Sequence, residues 1–102
     1  MGLVHAVFFS LKDRSAEAAE RLIAACRHDL AALPGIVHFS VGTRAEQYQR
    51  PVNDAEFDVA LVVAFATVEH HDLYQTAAEH KRFIAEQSGN WAKVRVFDAE
   101  ST

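Results

Sequence analysis

Residues 57–65 read FDVALVVAF, and their alternation decides the fold. Phe57, Val59, Leu61, Val63 and Phe65 fall on one side of an extended chain and Asp58, Ala60, Val62 and Ala64 on the other, because successive strand side chains point to opposite faces. Asp58 apart, both sides are apolar, so a strand here needs cover above and below. Residues 3–11, LVHAVFFSL, repeat the pattern, with His5, Val7, Phe9 and Leu11 on one face and Val4, Ala6, Phe8 and Ser10 on the other. Both stretches are rich in β-branched and aromatic residues, and they read as two strands of one sheet.

The remaining elements follow outward from these two. Ser15 is a helix cap with Glu17 and Glu20 near the positive end, and Ala19, Leu22, Ile23, Cys26, Leu30 and Leu33 recur at helical spacing. Pro34-Gly35 stops that helix. Ile36 to Thr43 reads as a strand in which Gly42 marks a bulge or an end, and residues 45–55, with Pro51 and Asn53-Asp54, read as a polar loop. Thr67 caps a second helical region, with Val68, Leu73, Phe83 and Ile84 as core residues, a break near Thr76 to Ala78 and a stop at Gly89. Trp91 to Asp98 closes the chain as a fourth strand, Val94 and Val96 facing one way and Lys93, Arg95 and Phe97 the other.

The order βαββαβ is the split βαβ, or ferredoxin-like, α+β arrangement: a four-stranded antiparallel sheet, strands one and three central, helices on one face. The other face is left bare. The residues on it include some of Val4, Ala6, Phe8, Ala60, Val62, Ala64, Val94 and Val96, an apolar patch of the kind monomers seldom expose. With no third helix to spare, a second copy is the expected cover, giving a homodimer through the sheet face, a dimeric α/β barrel, with ~800 Å² buried per partner.

Composition sets the outer bounds. A chain of 102 residues is one domain, residues 1–102, and 50% apolar with 24% charged residues is an ordinary globular balance. The net charge of -4 and the scattered Lys and Arg leave no basic footprint, so no nucleic acid partner is expected. No apolar run approaches the length of a membrane span, and Leu3 to Phe9 is short and lacks the basic flank of a secretory signal. A cytoplasmic location is expected. Cys26, the single cysteine, reads as a buried, inert thiol.

Six histidines merit individual readings, since imidazole titrates near neutrality. His28, His70 and His71 read as solvated helix residues, and the adjacent His70 and His71, roughly 100° apart on a helix, cannot share one ion. His38 is undecided. His5 interrupts an apolar strand face, as a core histidine bonded to backbone or as a pocket residue. His80 follows Tyr74 across the suspected helix break, where phenol and imidazole would form a proton-transfer pair. No HExxH spacing, phosphate loop, GxSxG elbow or Cys-His pair occurs, so neither a metal nor an organic cofactor is expected.

VHAVFFSLKD, LPGIVHFSVGTR, FDVALVVAFATVEHHDLYQTAAEHKRFI and WAKVRVFD together resemble the stress-responsive A/B barrel (Dabb) family over essentially the whole chain. The resemblance implies a ferredoxin-like fold and a homodimeric barrel. Some plant members of that family are polyketide cyclases that close a ring by intramolecular aldol condensation without metal or cofactor. By resemblance to them, His80 is the catalytic histidine, Tyr74 its partner and His5 a strand-one pocket histidine. A further pocket histidine of those cyclases falls on Val59, and the usual His-Pro before the helix histidine is Ala77-Ala78. The leading expectation is a small-molecule pocket protein acting as a cofactor-free, cyclase-like lyase. The alternatives are a non-catalytic dimeric stress-response or ligand-binding protein, and a haem-binding or monooxygenase-like dimeric barrel.

Overall fold

The computed structural model describes all 102 residues. Its elements are β1 (Gly2–Leu11), α1 (Ala16–Asp29), β2 (Ile36–Thr43), β3 (Val59–Phe65), α2 (Val68–Thr76), α3 (Ala78–Gln87) and β4 (Trp91–Ser101), with a short 3-10 turn, Ser88–Asn90, before β4. All strand pairs are antiparallel, in the order β2-β3-β1-β4, so β1 and β3 are central as the sequence predicts. No helix is long and apolar enough to cross a membrane.

All three helices lie against one sheet face. On β1, Leu3, His5, Val7, Phe9 and Leu11 are buried beneath them, and on β3 so are Val59, Leu61, Val63 and Phe65. Leu22, Cys26 and Leu30 complete the layer from the α1 side. Burial pushes the Cys26 thiol up to about 12, with the charge of Asp29 adding to it, so it stays protonated and inert. Asp29 fastens α1 to α3 by accepting a 2.7 Å hydrogen bond from Arg82, and that guanidinium, with His28, holds its carboxyl below the usual range.

Some local features depart from the sequence reading, among them Leu73 and Ile84, which are exposed rather than in the core. Helix α1 ends at Asp29 rather than running to Pro34-Gly35. Leu33 precedes a proline and is pushed out of helical backbone, and a turn closed by the Leu33 amide on the Leu30 carbonyl keeps both leucines buried without further helix. The irregularity of β2 lies between Ile36 and His38, not at Gly42, which pairs regularly with Ala60. Strict alternation would put Ile36 and Phe39 on opposite faces; the extra residue Val37 resets the phase so that both reach the core, and Val37 itself is exposed.

The register also decides which of the candidate residues lie on the bare face. Directly opposed residues share a face, and Val94 and Val96 lie opposite Phe9 and Val7, so both belong to the helix side. The open face carries Lys93, Arg95 and Phe97 from β4 beside Val4, Ala6, Phe8, Ala60, Val62 and Ala64. An aromatic cluster of Phe8 against Phe57 at 5.0 Å and Phe97 at 5.8 Å sits there. His38, also on that side, bonds Ser40 across 3.2 Å.

Gly35 joins the turn to β2 with φ of 85°, the left-handed region, and a Cβ there would stand 2.1 Å from Cγ of His70. Gly35→Ala therefore meets both backbone strain and a clash. The expected loss is at least about 1–3 kcal/mol of unfolding free energy by urea denaturation, whereas Gly89→Ala, with open space around the position, changes it little.

Candidate active site

The helices cover β2, β3 and β1 but stop short of β4, and the gap is a cavity of about 430 Å³. Its floor comes from His5, Val7 and Phe9 of β1 and from Val94, Val96 and Asp98 of β4, and its roof from α2 and α3. Most of the lining is apolar, and the volume falls in the range of small-molecule sites.

The helix break sets the roof. Ala77 is extended, with φ -63° and ψ 145°, and separates α2 from α3, close to the position the sequence suggested. Thr67 starts α2 by accepting the His70 amide on Oγ1 at 3.1 Å, which phases the helix so that Tyr74 is buried in its last turn. The new helix then brings His80 to the same cavity from its first turn. The three residues singled out in the sequence, His5, Tyr74 and His80, thus line one space.

Their rings form a chain. The His5 and Tyr74 centroids are 5.8 Å apart, those of Tyr74 and His80 4.9 Å apart, each pair edge-on, and Phe65 supports Tyr74 at 4.9 Å. His5 Nδ1 donates to Asp98 Oδ1 across 2.5 Å, joining the strands where the two residues stand directly opposite. This bond answers the open reading of His5: its partner is a carboxylate, not backbone.

Two residues enter the site that the sequence reading left outside. His71, expected on the surface, is almost covered, with a side chain 12% exposed, and its ring stands 5.2 Å from His5 and 5.5 Å from Phe65. Its neighbour His70 is not fully solvated either, since it packs on Gly35 and bonds Thr67 Oγ1 at 2.8 Å. His28 is exposed as expected. Asp98 closed the predicted fourth strand with no role, and cross-strand register alone brings it to His5. Val59 is wholly buried in the core and does not line the cavity, so β3 contributes no polar group there.

The electrostatics separate a base from an acid. Burial lowers the His80 pKa below its ordinary 6.5, and the charges of His5 and His71 push the same way, so His80 is neutral at pH 7. Burial pushes the Tyr74 phenol up, so it remains a proton donor at any physiological pH. Only two buried side-chain polar atoms in the protein lack a partner, Nδ1 of His80 and Nε1 of Trp91, and both residues line this cavity. Unpaired buried polar atoms are uncommon and each needs an explanation.

The sequence matches the family described as Stress Responsive A/B Barrel Domain, Dabb, over residues 3–101. Among solved structures, a Dabb family protein with a ferredoxin-like fold from Mesorhizobium loti shares 20% identity and a TM-score of 0.81, covering 99% of this chain and 97% of that one. A dimeric ferredoxin-like protein from Thermobifida fusca is 20% identical with a TM-score of 0.79, covering 97% of this chain and 90% of that one. The hydroxynitrile lyase of Passiflora edulis is 19% identical with a TM-score of 0.76, covering 96% and 91% respectively. No curated protein matches the sequence. The split βαβ order, the four-stranded antiparallel sheet with helices on one side, and a family match that spans nearly every residue agree, and the chain belongs to the stress-responsive A/B barrel family.

Proposed function

We propose that this protein is a cofactor-independent lyase or cyclase acting on a small carbonyl compound, with His80 as general base and Tyr74 as the donor that polarises the carbonyl. The observation that carries the reading is the pair of unpartnered buried nitrogens, on His80 and Trp91, in a mostly apolar cavity. A neutral imidazole takes the proton α to the carbonyl, and the phenol donates to the oxygen as enolate charge develops. The carbanion then attacks a second carbonyl of the same molecule, forming the carbon–carbon bond, and the alkoxide is protonated by the imidazolium. His5, held by Asp98, orients Tyr74 across the ring chain. The hydroxynitrile lyase among the structural relatives cleaves by name a different substrate class, and the same base and donor suit removal of a cyanohydrin proton.

Assembly belongs to the same reading. A homodimer closes the open sheet face over Phe8, Val62 and Phe97, supported by the apolar cluster there and by relatives described as dimeric. The location is taken as cytoplasmic, in keeping with the lone cysteine.

Two probes test the chemistry: cyclisation of a linear β-polyketo thioester and cleavage of mandelonitrile. The wild type accelerates at least one, His80→Ala lowers kcat/KM by about 10²–10⁴-fold, and Tyr74→Phe lowers it by a smaller factor. Unchanged turnover in His80→Ala would end the assignment, and inertness to both probes with tight uptake of an apolar ligand would favour a binding protein instead.

The pH profile gives a second check. Because the His80 pKa is lowered in the folded protein, its basic form predominates at pH 7 and is lost as the pH falls through values below 6.5. The acid limb of kcat/KM should therefore have its midpoint below 6.5 and be missing from His80→Ala.

For the dimer, sedimentation of the wild type should give twice the chain mass, and Val62→Asp, which sets a charge on the open face, should give single subunits. A monomeric wild type at micromolar concentration would remove the sheet-face interface.

A further inference from the structure

We infer that His5, His71 and Asp98 form a binding site for one divalent transition-metal ion at the β1–β4 end of the cavity. One ligating atom from each of the three lies within 4.8 Å of the others. Ligands about 2.1 Å from a tetrahedral ion stand about 3.4 Å apart, and the 3.7 Å between His71 Nε2 and Asp98 Oδ1 is already close to that spacing. The closer pair, His5 and Asp98, is joined through one proton. An ion takes the place of that proton, which passes to solvent, and the two side chains separate by about 1 Å to admit it. Asp98 sits near the end of an edge strand with its side chain 40% exposed, so it has room to make that movement.

Two further observations concern His71. The Gln75 side-chain amide donates to His71 Nε2 at 3.2 Å, which selects the tautomer with its lone pair on Nε2, and an ion takes that lone pair in place of the Gln75 hydrogen bond. On the far side of the ring, Nδ1 faces the Asp72 carboxylate at 3.5 Å. A ligating histidine commonly gives its second ring N–H to a carboxylate, which fixes the tautomer and strengthens the ligand. No Lys or Arg lines the cavity, and Asp98 is its one carboxylate, so nothing there opposes a cation.

The donor set selects the ion. Two imidazoles and one carboxylate suit zinc(II), cobalt(II), nickel(II) or iron(II) and are poor partners for magnesium or calcium, which prefer oxygen. Three protein ligands beside a cavity leave a position open to water or to a substrate oxygen, as in catalytic rather than structural metal sites. The spacing that hid this site from the sequence is large: the ligands come from β1, α2 and β4, at positions 5, 71 and 98. The inference does not rest on the proton-transfer reading: the ion replaces the His5–Asp98 hydrogen bond and holds both side chains itself, while His80 and Tyr74 stay outside the ligand set.

Zinc binding to the chelator-stripped full-length protein, followed by calorimetry with cobalt(II) absorption as a spectroscopic check, tests the site without any turnover assay. The wild type should take up one zinc per chain, while His71→Ala and Asp98→Asn each weaken binding by at least about 10-fold. Zinc should also raise the Tm of the wild type and not that of either variant. His28→Ala and His38→Ala, which alter surface histidines, should bind as the wild type does. Circular dichroism identifies a variant that has failed to fold, and the two ligand variants lie on different elements, so one remains informative. Substoichiometric uptake by the wild type, or wild-type affinity in both ligand variants, would overturn the site.

Discussion

The structure depends on a mismatch between the width of its sheet and the reach of its helices. Four strands present four strips of side chains to the helix side, and α1, α2 and α3 seal three of them. Over β2, β3 and β1 the result is a close-packed core around Phe9, Leu61, Val63 and Phe65. Over β4 the same residue types have no roof: Val94 and Val96 stay 37% and 50% exposed while facing the helix layer. The cavity is the unsealed quarter of an otherwise ordinary core, which explains why its lining is mostly apolar.

Placing histidines in such a space divides them by environment. His80 gains no partner for Nδ1 and is disfavoured as a cation by burial and by its neighbours. His5 is more deeply buried and is tied to a carboxylate that stays part-exposed. His71 lies between, touching the same carboxylate from the helix above. Identical side chains within one small cavity therefore hold different partners, a separation that acid–base chemistry and metal ligation both use.

Much of this was legible in the residues, and the boundary of legibility has physical causes. Period-two alternation in 3–11 and 57–65, the Ser15 and Thr67 caps and the weak helical signal around Ala77 are local, and local patterns gave the element order, the central strands and the helix break. Tyr74, His80 and His5 could be singled out because each is polar within an apolar pattern. His71 could not, since adjacent histidines early in a helix look solvated until the facing strand is known; Phe65 of β3 and His5 of β1 bury it. Asp98 was missed for the same reason, as its meaning comes from standing across from His5. The facing of Val94 and Val96 stays open in the sequence because alternation divides a strand into two sets without saying which set faces the helices.

The site is consequently a matter of register in β4. A slip of one residue would exchange its two faces, turning Phe97 toward His5 and sending Asp98 to the open side. Several contacts oppose that slip, and they act along the strand and on both faces. At the start, the Lys12 amide donates to the Asn90 carbonyl and the Asp13 amide to the Asn90 side chain, at 2.8 Å each. Trp91 packs between Phe9 and Phe83 beside the irregularity at Ser10 and Leu11, which absorbs the extra residue before regular pairing begins. On the open face Arg95 donates to Asp54 at 2.8 Å, tying the strand to the 45–55 loop, and farther along the strand the His5–Asp98 bond joins β1 to β4 through side chains. The polar loop and the open-face residues thus take part in placing a carboxylate on the opposite side of the sheet. Covering that open face and positioning Asp98 are two consequences of the same strand being held in one register.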